Sequence, residues 1–214
     1  MLQYRCSAFL FIFVAVYLTG SAWASPLHRF LLTHRASRSA TTLQMPTSHL
    51  YLIAKTAESS TRQLHEDYMG ERFDGDRFVR LSELTAPSFH LPSISSVGTP
   101  STMIQDSEIA ERHYEHLCTY RKVLSEVHGT ETEPFTDRIM EVILDVDLLI
   151  ERLQEVRVLL NPSPPTIQPP AANGFSQNTE RDRRSLFVLQ EFKEYITHVV
   201  HDYDTLRQRH QVSS

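Results

Sequence analysis

The chain is poor in several things, and each shortage narrows the choice of fold. Cysteine comes first: the 214 residues hold two, Cys6 and Cys118. Cys6 falls in an apolar leader, so one thiol remains for the rest and no internal disulfide can form. That excludes the small scaffolds that use staples in place of a core. Glycine is the second shortage, at six residues. Phosphate-binding loops and nucleophile elbows need glycine-rich turns, and neither pattern occurs, nor does a zinc-ligand spacing. Basic charge is the third. The 26 acidic residues outnumber the 21 basic ones, giving a net charge of −5 and no basis for a nucleic-acid-binding face. Strand signals are also few. "FVRL" (78–81) is short and "SFHLPSIS" (88–95) is interrupted by proline, so both read as loop or a single helical turn. The one Asn-x-Ser, at Asn161, has Pro162 between its two ends and is no glycosylation acceptor.

What is present begins with that leader. Arg5 precedes the apolar run "SAFLFIFVAVYLTG" (7–20), and small residues stand at Ala22 and Ala24. This three-part layout is that of a secretory signal peptide over 1–24 with cleavage after Ala24; the rival reading is an uncleaved N-terminal anchor. No other stretch approaches the roughly 18 apolar residues that cross a bilayer. Residues 25–214 are therefore expected to form one secreted, monomeric domain with a core of its own and no membrane insertion.

Apolar spacing divides that domain into four helices. The clearest runs over 134–160: Phe135, Ile139, Val142, Val146, Leu149, Leu153, Val156 and Leu160 alternate steps of four and three. Pro134 suits its first position, and Asn161 in a left-handed turn followed by Pro162 supplies a stop. The last helix, over 180–209, carries Leu189, Phe192, Ile196, Val199, Tyr203 and Leu206 on one stripe, with Thr179 and Asp182 as a capping box. A helix over 106–128 uses Ala110, Tyr114, Leu117, Tyr120, Leu124 and Val127, with Asp106 as cap and Gly129 after its end. The weakest, over 47–69, uses Leu50, Ile53, Ala57, Leu64 and Tyr68; Thr47 or Ser48 would cap it and Gly70 end it.

The connections then predict the topology. Helices of this length are roughly 33–39 Å long. The link 129–133 cannot span that distance, so the second and third helices must lie antiparallel. The links 70–105 and 161–179 are long enough to run the full bundle, since eighteen extended residues reach about 60 Å. "NPSPPTIQPP" (161–170) is suited to such a strap, because polyproline segments are stiff and extended. Two long crossovers around one short turn define an all-α, long-chain four-helix bundle with up-up-down-down order.

Few residues suggest chemistry. His113 and His116 stand three apart, as do His198 and His201, and each pair on a helix is compatible with a metal. The second pair lies off the apolar stripe, on the water-facing side. The carboxylates Asp137, Glu141, Asp145, Asp147, Glu151 and Glu155 read as an outer charged face, Asp147 being closest to the stripe. No enzyme activity, metal or cofactor is expected. "RDRR" (181–184) followed by Ser185 matches a basic cleavage pattern of the secretory pathway, although it falls in the first turns of a helix.

Three segments together resemble one known group. "RRSLFVLQEFKEYITHVVHDYDTL" (183–206) resembles the last helix of the ciliary neurotrophic factor and cardiotrophin-like branch of the interleukin-6 family. The shared elements are "VLQE" (188–191), Tyr195, and His201 with Asp202. "IAERHYEHLCTYRKVL" (109–124) resembles that branch's second helix, and "LLNPSPP" (159–165) its exit from the third. The resemblance implies a secreted cytokine without catalysis that brings cell-surface receptors together through separate patches. One patch would join the end of the first crossover to the C-terminal part of the last helix, with His198, His201 and Asp202 exposed near it. A second would use the exposed faces of the first and third helices. A third would lie at the start of the last helix, where the family carries a phenylalanine followed three residues later by lysine. Here those positions hold Thr179 and Asp182; Phe175 and Arg181 are the nearest substitutes. A secreted helical carrier of lipid or another apolar ligand is the alternative reading.

Overall fold

The computed structural model describes residues 39–75, 104–166 and 181–211, together with 81, 84, 89, 91 and 92, and side chains from Leu43 onward. The signal peptide, its cleavage site, Phe175, Thr179 and most of "FVRL" and "SFHLPSIS" lie outside the described residues. The chain divides into two compact units, Met1–Ser39 and Ala40–Ser214, and the bundle belongs to the second. Four helices pack against one another, and no strand occurs among the described residues: α1 (Ser39–Phe73), α2 (Asp106–His128), α3 (Phe135–Leu160) and α4 (Arg181–Gln211).

The apolar stripes form the core. Leu50, Ala57, Leu64 and Tyr68 of α1 are buried, as are Leu117, Tyr120, Leu124 and Val127 of α2. So are Phe135, Ile139, Val142, Val146, Leu149, Leu153 and Val156 of α3, and Leu189, Phe192, Ile196, Val199, Tyr203 and Leu206 of α4. Ile53, Tyr114 and Leu160 sit at its margin, half-buried. Aromatic rings fill the α2–α4 seam: Tyr120 stacks on Tyr195 with centroids 4.7 Å apart, and Phe192 lies 5.2 Å from Tyr120.

The helix ends depart from expectation in instructive ways. α1 begins at Ser39 rather than 47 and carries Pro46 inside it. Thr47 is no cap; its hydroxyl donates back to the Leu43 carbonyl at 2.8 Å, within the helix. Gly70 does not end α1. An isolated glycine costs only about 1 kcal/mol in a helix, and the chain turns out later, at left-handed Asp74 (φ 48) and Gly75 (φ 71). Asp106 is the first residue of α2 instead of its cap, which is Gln105. Its carboxylate takes hydrogen bonds from Arg209 and from His210 Nε2, the latter at 2.9 Å, and so ties the ends of α2 and α4. Asn161 stops α3 in extended backbone (φ −137) and not in a left-handed turn. At the start of α4, the Asp182 carboxylate pairs with Arg181 Nε at 2.8 Å.

Polar pairs fix the register between helices. Between α2 and α3, Glu111 meets Arg157 and Arg121 meets Asp147. Between α1 and α3, Tyr68 packs on Phe135 and Asp67 pairs with Arg138. Between α1 and α4, Thr197 donates to Glu58 at 3.1 Å and Arg207 covers the Tyr51 ring. Between α2 and α4, Asp106 meets Arg209, and in the turn after α2 Thr130 meets Arg184 of α4. The exit from α3 is held by Arg157, itself buried. Its guanidinium lies 3.8 Å from the Tyr114 ring centroid, donates to Glu111, and donates to the Pro165 carbonyl at 3.0 Å.

Candidate functional site

Of the residues proposed from sequence, His198 and His201 are exposed on α4, as their place off the apolar stripe requires. Asp202 is a correction. It was expected on the surface beside His201, yet it is 5% exposed. One step along a helix turns the side chain by about 100°, which carries Asp202 from the outer face into the α2 seam. There its Oδ2 accepts from His113 Nε2 at 2.9 Å and from Arg112 Nη2 at 3.4 Å. His113 is fully buried, its other nitrogen 2.9 Å from the Tyr195 hydroxyl and its ring edge-on to Tyr203. Burial holds the His113 ring below its ordinary pKa, while Asp202 pulls the other way. The arrangement is a polar pin between α2 and α4. His113 and His116 are therefore not paired as metal ligands, and no group of three or more potential ligands occurs among the described residues.

Arg181 lies in a second buried polar cluster, at the end of the bundle where α1 finishes and α4 starts. Its centre is Glu131, in the turn between α2 and α3, whose side chain is fully buried. Glu131 Oε1 accepts from the Tyr68 hydroxyl at 2.8 Å and from Ser185 Oγ at 2.7 Å. Arg72 and Arg181 bring guanidinium groups to 3.6 and 3.8 Å of the carboxylate. Burial raises the Tyr68 hydroxyl far above its ordinary pKa, so it remains a donor. Next to the cluster, the Phe135 ring lies under the guanidinium groups of Arg72 and Arg138, at 5.3 and 5.9 Å. Arg181 is thus half-spent on Asp182 and Glu131, and only part of it faces water. The basic motif is closed off in the same way: Arg184 and Ser185 are both buried within the helix.

The outer surface holds the feature that the sequence reading missed. Met140, Leu144 and Leu148 of α3 are 37%, 60% and 39% exposed, although large and apolar. Spaced four apart, they form one row on the face opposite the core. Leu159 is exposed further along α3, past Glu151 and Glu155, and Leu52 and Met45 are exposed on α1, the helix that pairs with α3 through Asp67 and Arg138. A second step-of-four row, opposite the core stripe, was the available signal. It was hidden because the acidic residues between the leucines made the whole face read as charged.

Compared with protein-family models, with curated proteins and with solved structures, the chain has no match.

The site that geometry offers is a surface. Among the described residues nothing covers Met140, Leu144 and Leu148 on the outer face of α3, where Glu141 and Glu151 add charge. Exposed contiguous apolar surface on a monomer marks interaction sites. No helix among the described residues is long and apolar enough to cross a membrane.

Proposed function

We propose that this protein is a secreted helical cytokine that acts as a monomer, without catalysis, by bringing cell-surface receptors together. The observation that carries the reading is the uncovered apolar row of Met140, Leu144 and Leu148 on α3. It falls on the face of the first and third helices to which the sequence resemblance assigns a receptor. An apolar centre with a charged rim is the anatomy of a protein-binding surface.

The up-up-down-down order is the topology proposed with it. The cross-helix pairs support this: residue numbers rise on α1 as they fall on both α3 and α4, and rise on α2 as they fall on the same two. Parallel α1 and α2 facing parallel α3 and α4 need two long crossovers, and the strap after Asn161 is clamped toward α2 by Arg157.

Leu144→Arg is the test. Because Leu144 is 60% exposed, the folded protein should keep its melting temperature within a degree or two. Signalling in receptor-bearing cells should fall at least about tenfold, the effect of 1.4 kcal/mol in binding. Unchanged potency at unchanged stability would remove this face from the receptor contact. Uptake of an apolar dye by the native protein would favour the carrier reading instead.

A further inference from the structure

Two histidines are half-buried against α4, each with one ring nitrogen shut off from water and without a hydrogen-bond partner. His65 of α1 accepts a hydrogen bond at its Nδ1 from Lys193 Nζ, 3.3 Å away. A lysine ammonium can only donate, so this contact requires a neutral imidazole. The other nitrogen, Nε2, is buried with no hydrogen-bond partner. His116 of α2 lies with its ring 5.7 Å from Tyr195 of α4, and its Nδ1 is likewise buried without a partner. A proton added to either ring would put a cation beside Lys193 in one case, and a buried N–H without an acceptor in the other.

We propose that α4 is an acid-released element, held against α1 and α2 by two neutral histidines and loosened when they take up protons. A cytokine built this way lets go of its receptors in an acidified compartment; that last step rests on the proposed function, whereas the release of α4 does not.

The groups around each ring can be named. At His65 the facing cation is Lys193; Glu66 and Gln190 line the same cleft, and Arg62, Glu194 and His198 the next one. At His116 the neighbours are Arg112 and His113 on its own helix and Tyr195 across the seam. Asp202 is engaged by His113 and Arg112 and offsets only part of the burial of His113, which stays below its ordinary pKa. Burial first, and then Lys193, pushes His65 down to about 4; burial first, and then His113 and Arg112, does the same for His116. Above the ordinary histidine value of 6.5 the folded and unfolded chains are equally uncharged at these sites and stability is full. Below it the unfolded chain takes protons that the folded chain refuses until about pH 4, so stability falls through that window. At pH 5 the opening equilibrium should rise about thirtyfold for each histidine exposed.

Hydrogen exchange of the mature chain, corrected for intrinsic rates, tests this at pH 7.4 and pH 5.0. Protection of α4 (Arg181–Gln211) should drop by about thirtyfold or more. His65→Gln should remove one histidine's share of the drop, and His65→Gln with His116→Gln two, leaving the share of buried His113. If these variants fail to fold, histidine ring resonances of the unaltered protein decide the matter. Midpoints for His65 and His116 well below 6 support the proposal; midpoints near 6.5 in the folded protein overturn it. Equal protection at both pH values also overturns it. Acid release of α4 in a protein without receptor activity would leave this inference standing and remove the cytokine reading. Receptor activity with a pH-independent α4 would do the reverse.

Discussion

Asp202 shows how much one helical position decides. His201 and Asp202 are adjacent, yet the first faces water and the second sits on His113 and Arg112. Asp202→Ala should therefore act on stability. Removing the carboxylate leaves Arg112 and the His113 Nε2–H without their acceptor, and stranding one side of a buried charged pair costs about 3 kcal/mol or more. A lower urea midpoint with an unchanged m-value is the expected result; a midpoint within error of the parent would mean that the pin contributes nothing. The sequence held a hint, since Asp202 falls beside Tyr203 of the stripe. Its pairing with His113 was not legible, because the two residues meet only once α2 and α4 are docked. Glu131 was hidden more completely. A carboxylate in a short interhelical turn reads as solvated, and its burial depends on Tyr68 and Ser185 arriving from two distant helices.

At the scale of the element, the stripes were readable because burial in a helix has one period. Leu149 and Leu153 of α3, both fully buried, should each cost roughly 2–5 kcal/mol when cut to alanine, the range of lost apolar transfer plus the cavity left behind. Denaturant midpoints measure this, and a loss well under 1 kcal/mol at both sites would move them out of the core. Helix ends were less legible, for a physical reason. Caps and stops are worth about a kilocalorie each, so packing overrides them: buried Leu43 and Thr47 extend α1 past Pro46, and Tyr68 together with half-buried Met69 and Phe73 carries it past Gly70. The outer apolar row of α3 belongs to this scale too. One face per helix was sought, and α3 has two.

Across the whole molecule, folding decides what the basic motif means. Arg181–Arg184 resembles a protease site as sequence, but a protease needs extended backbone, and here the bond after Arg184 lies in a helix with Arg184 and Ser185 buried. The folded chain should resist basic-residue-specific proteases at Arg184–Ser185. In rising urea, cutting there should follow the unfolded fraction, because cleavage samples the open form. Rapid cutting in native buffer with helical circular dichroism intact would show that the start of α4 opens by itself. What the fold adds is that His113 and Glu131 are both interior ties between elements far apart in the chain.

The short turn between α2 and α3 also imposes an order in time. Contacts such as Arg121 with Asp147 close a small loop, whereas those of α1 and α4 wait on the long connections from Phe73 to Asp106 and from Leu160 to Arg181. Small loops close first because they lose least chain entropy. On the ribosome the α2–α3 hairpin can therefore form while α4 is still unsynthesised. During that interval Tyr120 and His113 stand open, since the side chains that cover them, Tyr195, Phe192 and Tyr203, come from the last stretch to be translated. Each nascent chain must pass through a stage with one seam of its core unclosed. The helix that finishes the molecule is thus also the one that determines how long it is vulnerable to sticking to its neighbours.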